Sequence, residues 1–323
     1  MADSQITPSA PPFYFGEHLA QLKFSEAGPA WLDSRVKIGP RTRADYKQYI
    51  AALAKFFGEM QLSDIDIRHV REYQNQRQQA IEGKWEGAGP VRINHELCAL
   101  ILVLKRANLW GKFEGIYEAL AVPSWKPPRA ITNEEEQRLY QVANSRPEWK
   151  MLYAYTVFAN NTGLRGCEMR ALRLADIDLI AGTVSICRTL KTKRSLRKIP
   201  LVPAAKWAAE NLMAIASSKG AALPHHCLFP KRVHRKLWNP DEPMCTTAIG
   251  KPWRAMRDAA GLPHLRPHDL RHQVNTKLAE SGADDYTITS IMGHQGRQMT
   301  EWYSSIREQH KRVVLEKALG GAR

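Results

Sequence analysis

The segment Thr162–Leu172 reads Thr-Gly-Leu-Arg-Gly-Cys-Glu-Met-Arg-Ala-Leu and follows the apolar run Leu152–Phe158. The apolar run predicts a helix, and Gly163 is suited to end it and turn the chain. Arg165 then falls near the start of a second helix, where free backbone amides favour an anion. Glu168 lies one turn further on the same side, so its carboxylate can hold the guanidinium. Taken alone, the segment is more simply interpreted as an ordinary arginine at a helix start.

A second cluster reads His268-Asp269-Leu270-Arg271-His272. His268 and Arg271 are three residues apart, which puts them on one face of a helix that can start after Pro267. Both side chains can therefore converge on one phosphate. Without further context, a surface pair is the simpler interpretation.

A third cluster, Met292-Gly293-His294-Gln295, is followed by Tyr303 nine residues after His294. Gly293 fits a tight turn between helices, from which His294 would enter a site. A phenol is a poor nucleophile in water, but neighbouring cations help it to lose its proton as it attacks. The alternative is that Tyr303 is a core aromatic beside Trp302.

Residues 183–201 predict a β hairpin. Thr183–Cys187 alternates in polarity, Lys198–Leu201 forms a second strand, and the basic segment Thr189–Arg194 connects them. A basic turn of this kind can simply contact the DNA backbone.

The composition favours a polyanionic partner. Lys and Arg number 47 against 32 Asp and Glu, a formal charge of +15, and nucleic acid is the commonest large polyanion. No apolar run approaches the roughly 18 residues that span a bilayer, and Met1–Pro12 lacks a secretory pattern. Five widely spaced cysteines without a C-x-x-C pair argue against a disulfide framework and favour a cytoplasmic location.

One group of residues is a candidate metal site: His225, His226, Cys227 and His234. Its spacings match no common zinc pattern. The sequence therefore predicts neither a metal nor a cofactor.

The chain is predicted to have two domains. Residues 1–15 form a flexible tail, 16–120 a small helical domain, 121–130 a proline-rich linker and 131–323 a second, mostly helical domain.

Four helix starts are predicted from capping residues and apolar spacing. Thr42 begins the first helix, Asp64 or Asp66 the second, and a third runs from about Asn94 to Ala107. Thr132, followed by three glutamates, begins the helix that opens the second domain.

Together these clusters resemble the motifs of the tyrosine recombinases, or phage integrases, in their order, residue types and spacing. The family shows a T-G-x-R-x-x-E-[LM]-x-x-L block, matched by Thr162–Leu172, and H-x-L-R-H, matched by His268–His272. Its L-G-H…Y ending corresponds to Met292-Gly293-His294 and Tyr303, with methionine in place of the usual leucine. The resemblance covers Ile131 to about Arg307 well and residues 16–120 less specifically.

The resemblance implies a role for each matched residue. Tyr303 would form a 3′-phosphotyrosyl link to DNA, and Arg165 and Arg271 would clamp the scissile phosphate. His268 and His294 would hydrogen-bond the phosphate and assist proton movement, with Glu168 as support. The family's general acid is a lysine in the hairpin turn, for which Lys191 is our choice, while Lys193 remains open.

The resemblance also implies a mainly α fold with a small β-hairpin sheet, arranged as a two-domain C-shaped DNA clamp. It implies double-stranded DNA with specific core sites as substrate, and a homo-oligomer on that DNA, a tetramer in the synapse. Accessory DNA-bending proteins are a further implied partner, in a bacterial or phage-encoded system that acts at the nucleoid. The C-terminal segment from Arg307 to Leu319 would dock on a neighbouring subunit.

Two other functions compete with recombination. A type IB topoisomerase would use the same residue types to relax DNA without pairing two sites. A non-catalytic, basic DNA-binding protein would need none of them.

Overall fold

The computed structural model describes residues 16–79, 86–123, 130–188 and 196–293, together with Leu315 and Leu319. Contacts divide the chain into two compact units, Met1–Trp125 and Lys126–Arg323. The fold is mainly helical with two small antiparallel sheets. None of the described helices combines the length and the apolar character that crossing a membrane requires.

The described part of the first unit contains five α-helices. The helices are α1 (Glu17–Ala20), α2 (Phe24–Asp33), α3 (Pro40–Phe57), α4 (Ile67–Gln78) and α5 (Pro90–Arg106). Their apolar faces bury a core rich in aromatic rings, in which Phe57 and Tyr73 have centroids 5.3 Å apart. Aromatic pairs at this distance add to the stabilisation from burial.

Predicted helix starts in this unit are partly confirmed. Asp66 caps α4, since its side chain accepts hydrogen bonds from the Arg68 and His69 amides. The predicted cap at Thr42 is wrong, because α3 begins two residues earlier, at Pro40. Proline suits the first helical position, where its missing N–H costs nothing and its φ is already helical. The same effect starts α5 at Pro90, four residues before the predicted start at Asn94.

A buried carboxylate links α4 and α5. The Glu96 side chain is inaccessible to solvent and accepts hydrogen bonds from the Tyr73 hydroxyl at 2.8 Å and from Arg77 Nε at 3.0 Å. Arg92, whose side chain is partly exposed, also donates to the Glu96 carboxylate from Nε at 2.7 Å. Burying a charge is tolerable only with such partners.

The described part of the second unit has seven helices and five strands. The elements in chain order are α6 (Asn133–Asn144), α7 (Lys150–Thr162), α8 (Gly166–Ala171), β1 (Ile177–Asp178), β2 (Thr183–Ile186), β3 (Arg197–Pro200), α9 (Pro203–Ser217), β4 (Pro230–Arg232), β5 (Trp238–Pro243), α10 (Gly250–Ala259), α11 (Asp269–Glu280) and α12 (Asp285–Met292). Helix α7 is central and packs against α6, α9 and α11. Because neighbours surround it, every residue of α7 from Ala154 to Asn160 is buried.

The predicted hairpin and the predicted start of α6 are confirmed. Strands β2 and β3 pair antiparallel with Val184 opposite Ile199, and both side chains are buried. Thr132 caps α6 through a reciprocal pair of hydrogen bonds with Glu135.

The hairpin β4–β5 was not predicted. Strand β5 contains two prolines and two acidic residues, a composition that sequence patterns assign to loops. The pairing of β4 with β5 shifts register between Pro230 and Lys231 of β4. This irregularity accommodates the prolines of β5.

We expect Glu96→Ala to lower the free energy of unfolding by about 3–5 kcal/mol, because it removes the carboxylate from buried Arg77 and Tyr73. Chemical denaturation of the full chain measures the change. Glu114→Ala, at an exposed position, is the matched control and should stay within about 0.5 kcal/mol of the unchanged chain. Equal stabilities of the two variants would show that the Glu96 cluster does not stabilise the fold.

Candidate functional site

Arg165 lies at the junction of two helices, as the sequence predicts. Gly163 ends α7 in the left-handed conformation, with φ of 63°, and Arg165 is the N-cap residue of α8. The Glu168 carboxylate accepts hydrogen bonds from the Arg165 backbone amide and from Arg165 Nη1, both at 2.8 Å. The predicted contact between Glu168 and the guanidinium is therefore confirmed.

A second arginine, which the sequence analysis missed, shares the same carboxylate. Arg197 Nη2 lies 2.8 Å from Glu168 Oε2, Arg197 Nη1 lies 3.1 Å from Oε1, and both side chains are 5% exposed or less. Arg197 begins β3 and shares a strand face with buried Ile199. Its parity with Ile199 is the sequence signal that could have identified it, since alternate strand residues point to the same side.

The two arginines keep Glu168 ionised. Burial by itself would raise the pKa of this carboxyl, but hydrogen bonds from Arg197 and from the Arg165 amide outweigh it and lower the pKa to about 2. Glu168 therefore carries one negative charge between two guanidinium groups at any ordinary pH.

Arg271 is held by the ends of two helices. Its Nη1 donates to the Gly163 carbonyl and its Nη2 to the Met292 carbonyl, both at 2.5 Å. These carbonyls close α7 and α12, where the last turn of a helix leaves acceptors without an intrahelical donor. The cation also suits the negative end of each helix dipole. Arg271 is 8% exposed.

Two glycines allow these elements to approach one another. A Cβ atom on Gly163 would lie 2.6 Å from Met292 Sδ. A Cβ on Gly293 would lie 3.1 Å from Arg197 Nη1 and 3.4 Å from Arg165 Nη1. Gly293 also has φ of 73°, which disfavours any side chain. The end of α12 therefore lies directly against both guanidinium groups.

His268 and His272 stack edge to face at the start of α11, with ring centroids 5.0 Å apart. Partial burial, together with the positive charges of Arg271, Arg266 and Arg165, lowers the pKa of His268, although the residue keeps an exposed edge. Burial and the neighbouring His268 lower the pKa of His272 to about 4. Both imidazoles are therefore neutral at neutral pH.

A cavity of about 400 Å³ opens beside His268. Arg170 and Arg266 line it, together with Gly166 and Cys167 at the start of α8. Arginine side chains and a helix N-terminus both favour an anion. The cavity therefore has two cationic side chains in its lining, next to His268.

Four of the predicted site residues come together: Arg165, Glu168, His268 and Arg271. The other four, Lys191, Lys193, His294 and Tyr303, lie outside the described residues. Gly293, on which a Cβ atom would lie 3.4 Å from Arg165 Nη1, is the residue immediately before His294 in the sequence. The segment that contains Lys191 and Lys193 comes between the paired strands β2 and β3 in the sequence.

Two residues of the cluster considered as a metal site, His225 and His226, lie beside Asp241. Nε2 of His225 and Nε2 of His226 lie 3.4 and 3.7 Å from Asp241 Oδ1. His226 Nδ1 accepts hydrogen bonds from the Ala222 and Leu223 amides at 2.9 and 3.1 Å. In the neutral form of His226 the proton is then on Nε2, which leaves no free lone pair for a metal.

Both units match sequence models of known protein families. Residues 129–310 match the sequence model of the phage integrase family, and residues 24–77 match that of the phage integrase N-terminal SAM-like domain. Tyrosine recombinase XerA of Thermococcus kodakarensis is 27% identical over 225 residues, which cover 68% of this chain and 75% of XerA.

Two solved structures share the fold. The Tn1549 transposon integrase, in complex with transposon right end DNA, has a TM-score of 0.71 at 17% identity. The match covers 91% of this chain and 100% of the integrase chain. A lambda integrase, solved as a tetramer bound to a Holliday junction, has a TM-score of 0.60 at 20% identity. The match covers 85% of this chain and 76% of the lambda integrase chain.

The low pKa of His272 predicts a pH dependence of stability. Between its unfolded value of 6.5 and about 4, the unfolded chain binds a proton that the folded chain does not. The free energy of unfolding therefore falls as the pH drops through this window, by about 2–3 kcal/mol from this group. Protonation of Glu168 lowers the free energy of unfolding further at lower pH, from 4.5 towards 2.

Denaturation of the full chain at pH 7 and pH 4.5 tests this prediction. His272→Gln should flatten the decline, while His264→Gln, at an exposed position, should leave it unchanged. The same slope in His272→Gln as in the unchanged chain would contradict the assignment.

Proposed function

We propose that this chain, which belongs to the phage integrase family of site-specific tyrosine recombinases, cuts and rejoins double-stranded DNA through a 3′-phosphotyrosyl bond to Tyr303. Enzymes of this family cleave and rejoin DNA at specific sites.

One observation carries the proposal: two arginines from distant segments lie against the same short stretch of backbone. Arg271 donates to the Met292 carbonyl, and Arg165 Nη1 lies 3.4 Å from the position of a Cβ on Gly293. A guanidinium has five N–H donors, so one that is fixed by backbone carbonyls can still bind phosphate. Two such groups side by side suit the non-bridging oxygens of one phosphodiester.

The proposed reaction is an exchange of phosphate esters. The Tyr303 oxygen bonds to phosphorus, the bond from phosphorus to the 5′ oxygen breaks, and that oxygen takes a proton from Lys191. Arg165 and Arg271 stabilise the extra negative charge in the transition state. His268 is neutral at neutral pH and can accept the phenol proton, and His294 hydrogen-bonds the phosphate. Attack by a 5′ hydroxyl on the tyrosyl link reverses the step and rejoins DNA.

The proposed assembly is a tetramer on two core sites. Leu315 and Leu319 support contacts between protomers, because they are helical, four residues apart, and 57% and 72% exposed. The tetrameric lambda integrase has the same fold. We propose accessory DNA-bending proteins as further partners and the bacterial nucleoid as the place of action.

Two assays separate this function from its alternatives. A type IB topoisomerase would relax supercoiled DNA that carries one site, whereas a recombinase exchanges strands between two sites. A non-catalytic DNA-binding protein would form no covalent adduct at all.

Trapping of the covalent intermediate tests the nucleophile. With a core-site DNA nicked next to the scissile phosphate, the cleaved strand diffuses away, and we expect a protein–DNA adduct on a denaturing gel. Tyr303→Phe should abolish this adduct, because phenylalanine has no oxygen to attack phosphorus. Tyr286→Phe is the matched control, since Tyr286 is 84% exposed, and it should retain the adduct. An adduct that persists in Tyr303→Phe would contradict the proposal.

A sulfur substitution at the scissile bond tests the general acid. A thiolate leaves without a proton, since a thiol is far more acidic than an alcohol, so a 5′-bridging phosphorothiolate removes the need for the acid. We expect Lys191→Ala to cleave ordinary DNA at least about 100-fold more slowly and to regain most of its rate on the sulfur substrate. Lys193→Ala serves as the comparison. If only Lys193→Ala is slow and rescued, Lys193 is the acid and the assignment to Lys191 is wrong.

A further inference from the structure

We propose that Arg197 is a positioning residue for the reaction: it sets the orientation and effective charge of Arg165 and fixes the turn that precedes His294. This inference rests on the proposed function, because it assigns Arg197 a part in phosphate binding by Arg165. It goes beyond that function, since the family motifs identified in the sequence do not include Arg197.

The contacts of Arg197 reach two parts of the site at once. Its Nη1 and Nη2 form a fork with both oxygens of Glu168, at 3.1 and 2.8 Å. Its Nε donates to the Ile291 carbonyl at 2.8 Å. Lysine could not make this set of contacts, because a single ammonium group lacks the planar fork.

The shared carboxylate explains how Arg197 affects Arg165. With Arg197 present, Glu168 divides one negative charge between two guanidinium groups, so the cluster keeps a net positive charge for phosphate. Without Arg197, Arg165 would be the main partner of Glu168, and the pair would be neutral. Arg165 would also be drawn into a two-pronged contact with Glu168, which would turn its donors away from phosphate.

The contact with Ile291 connects Arg197 to the end of α12. Ile291 and Met292 are consecutive residues, and their carbonyls accept hydrogen bonds from Arg197 and Arg271 respectively. The two arginines therefore fix the last turn of α12 from two sides, directly before Gly293. Geometry matters here, because a misplacement of about 1 Å near a reacting group can cost about 100-fold in rate.

The plain alternative is a buried ion pair that stabilises only the fold. Both interpretations predict a lower melting temperature for Arg197→Ala. They differ in the cleavage rate at full DNA occupancy, and in whether a guanidinium ion added from solution restores that rate.

The experiment measures single-turnover adduct formation by the full chain on nicked core-site DNA at saturating protein, together with the Kd for DNA. We expect Arg197→Ala to form adduct about 10- to 100-fold more slowly with Kd changed less than about 3-fold. Arg197→Lys should fall between Arg197→Ala and the unchanged chain. Guanidinium at millimolar concentration should accelerate Arg197→Ala and leave the unchanged chain unaffected. Lys198→Ala, on the exposed face of the same strand, is the control and should behave as the unchanged chain.

Three results would overturn the inference. An unchanged rate in Arg197→Ala would remove any role in the reaction. A slower rate that is matched by an equal loss of DNA affinity, with no response to guanidinium, would reduce Arg197 to a structural residue. Absence of any adduct with the unchanged chain would overturn the proposed function itself, and the role of Arg197 with it.

Discussion

The second unit depends on one buried carboxylate that is shared by two arginines. Glu168 is 4% exposed on its side chain, and its charge is tolerated there only because Arg165 and Arg197 donate to both oxygens. This arrangement ties the start of α8 to β3. An enzyme that binds phosphate by side-chain cations must hold those cations close together against their mutual repulsion, and a buried anion between them meets that requirement.

Helix ends supply the second constraint. Arg271 draws together the closing carbonyls of α7 and α12, and Gly163 and Gly293 let the backbone come close enough for this contact. Arg197 binds the carbonyl next to the one that Arg271 binds. The site is therefore assembled from four separate segments whose contacts are mostly between side chain and backbone. Backbone carbonyls therefore hold Arg197 and Arg271, in addition to the Glu168 carboxylate that holds Arg165 and Arg197.

The sequence predicted those features that depend on neighbouring residues. The break at Gly163, the contact from Glu168 to Arg165, the caps at Asp66 and Thr132, and the pairing of β2 with β3 all follow from local spacing. Arg197 was missed because its contact with Glu168 spans 29 positions and depends on strand register. The hairpin β4–β5 was missed because its prolines resemble a loop. The convergence of Arg165 with Arg271 came from family resemblance, since spacing alone left both as ordinary surface or helix-start arginines.

We propose that Arg165 and Arg271 bind the same phosphate. A structure of the full chain on core-site DNA with vanadate at the scissile position tests it most directly, because vanadate takes the five-coordinate geometry of the transition state. We expect guanidinium nitrogens of both residues within about 3 Å of oxygens on the one vanadium atom, with the Tyr303 oxygen in line with the 5′ oxygen. Contacts from Arg165 and Arg271 to two different phosphates, or to none, would contradict it.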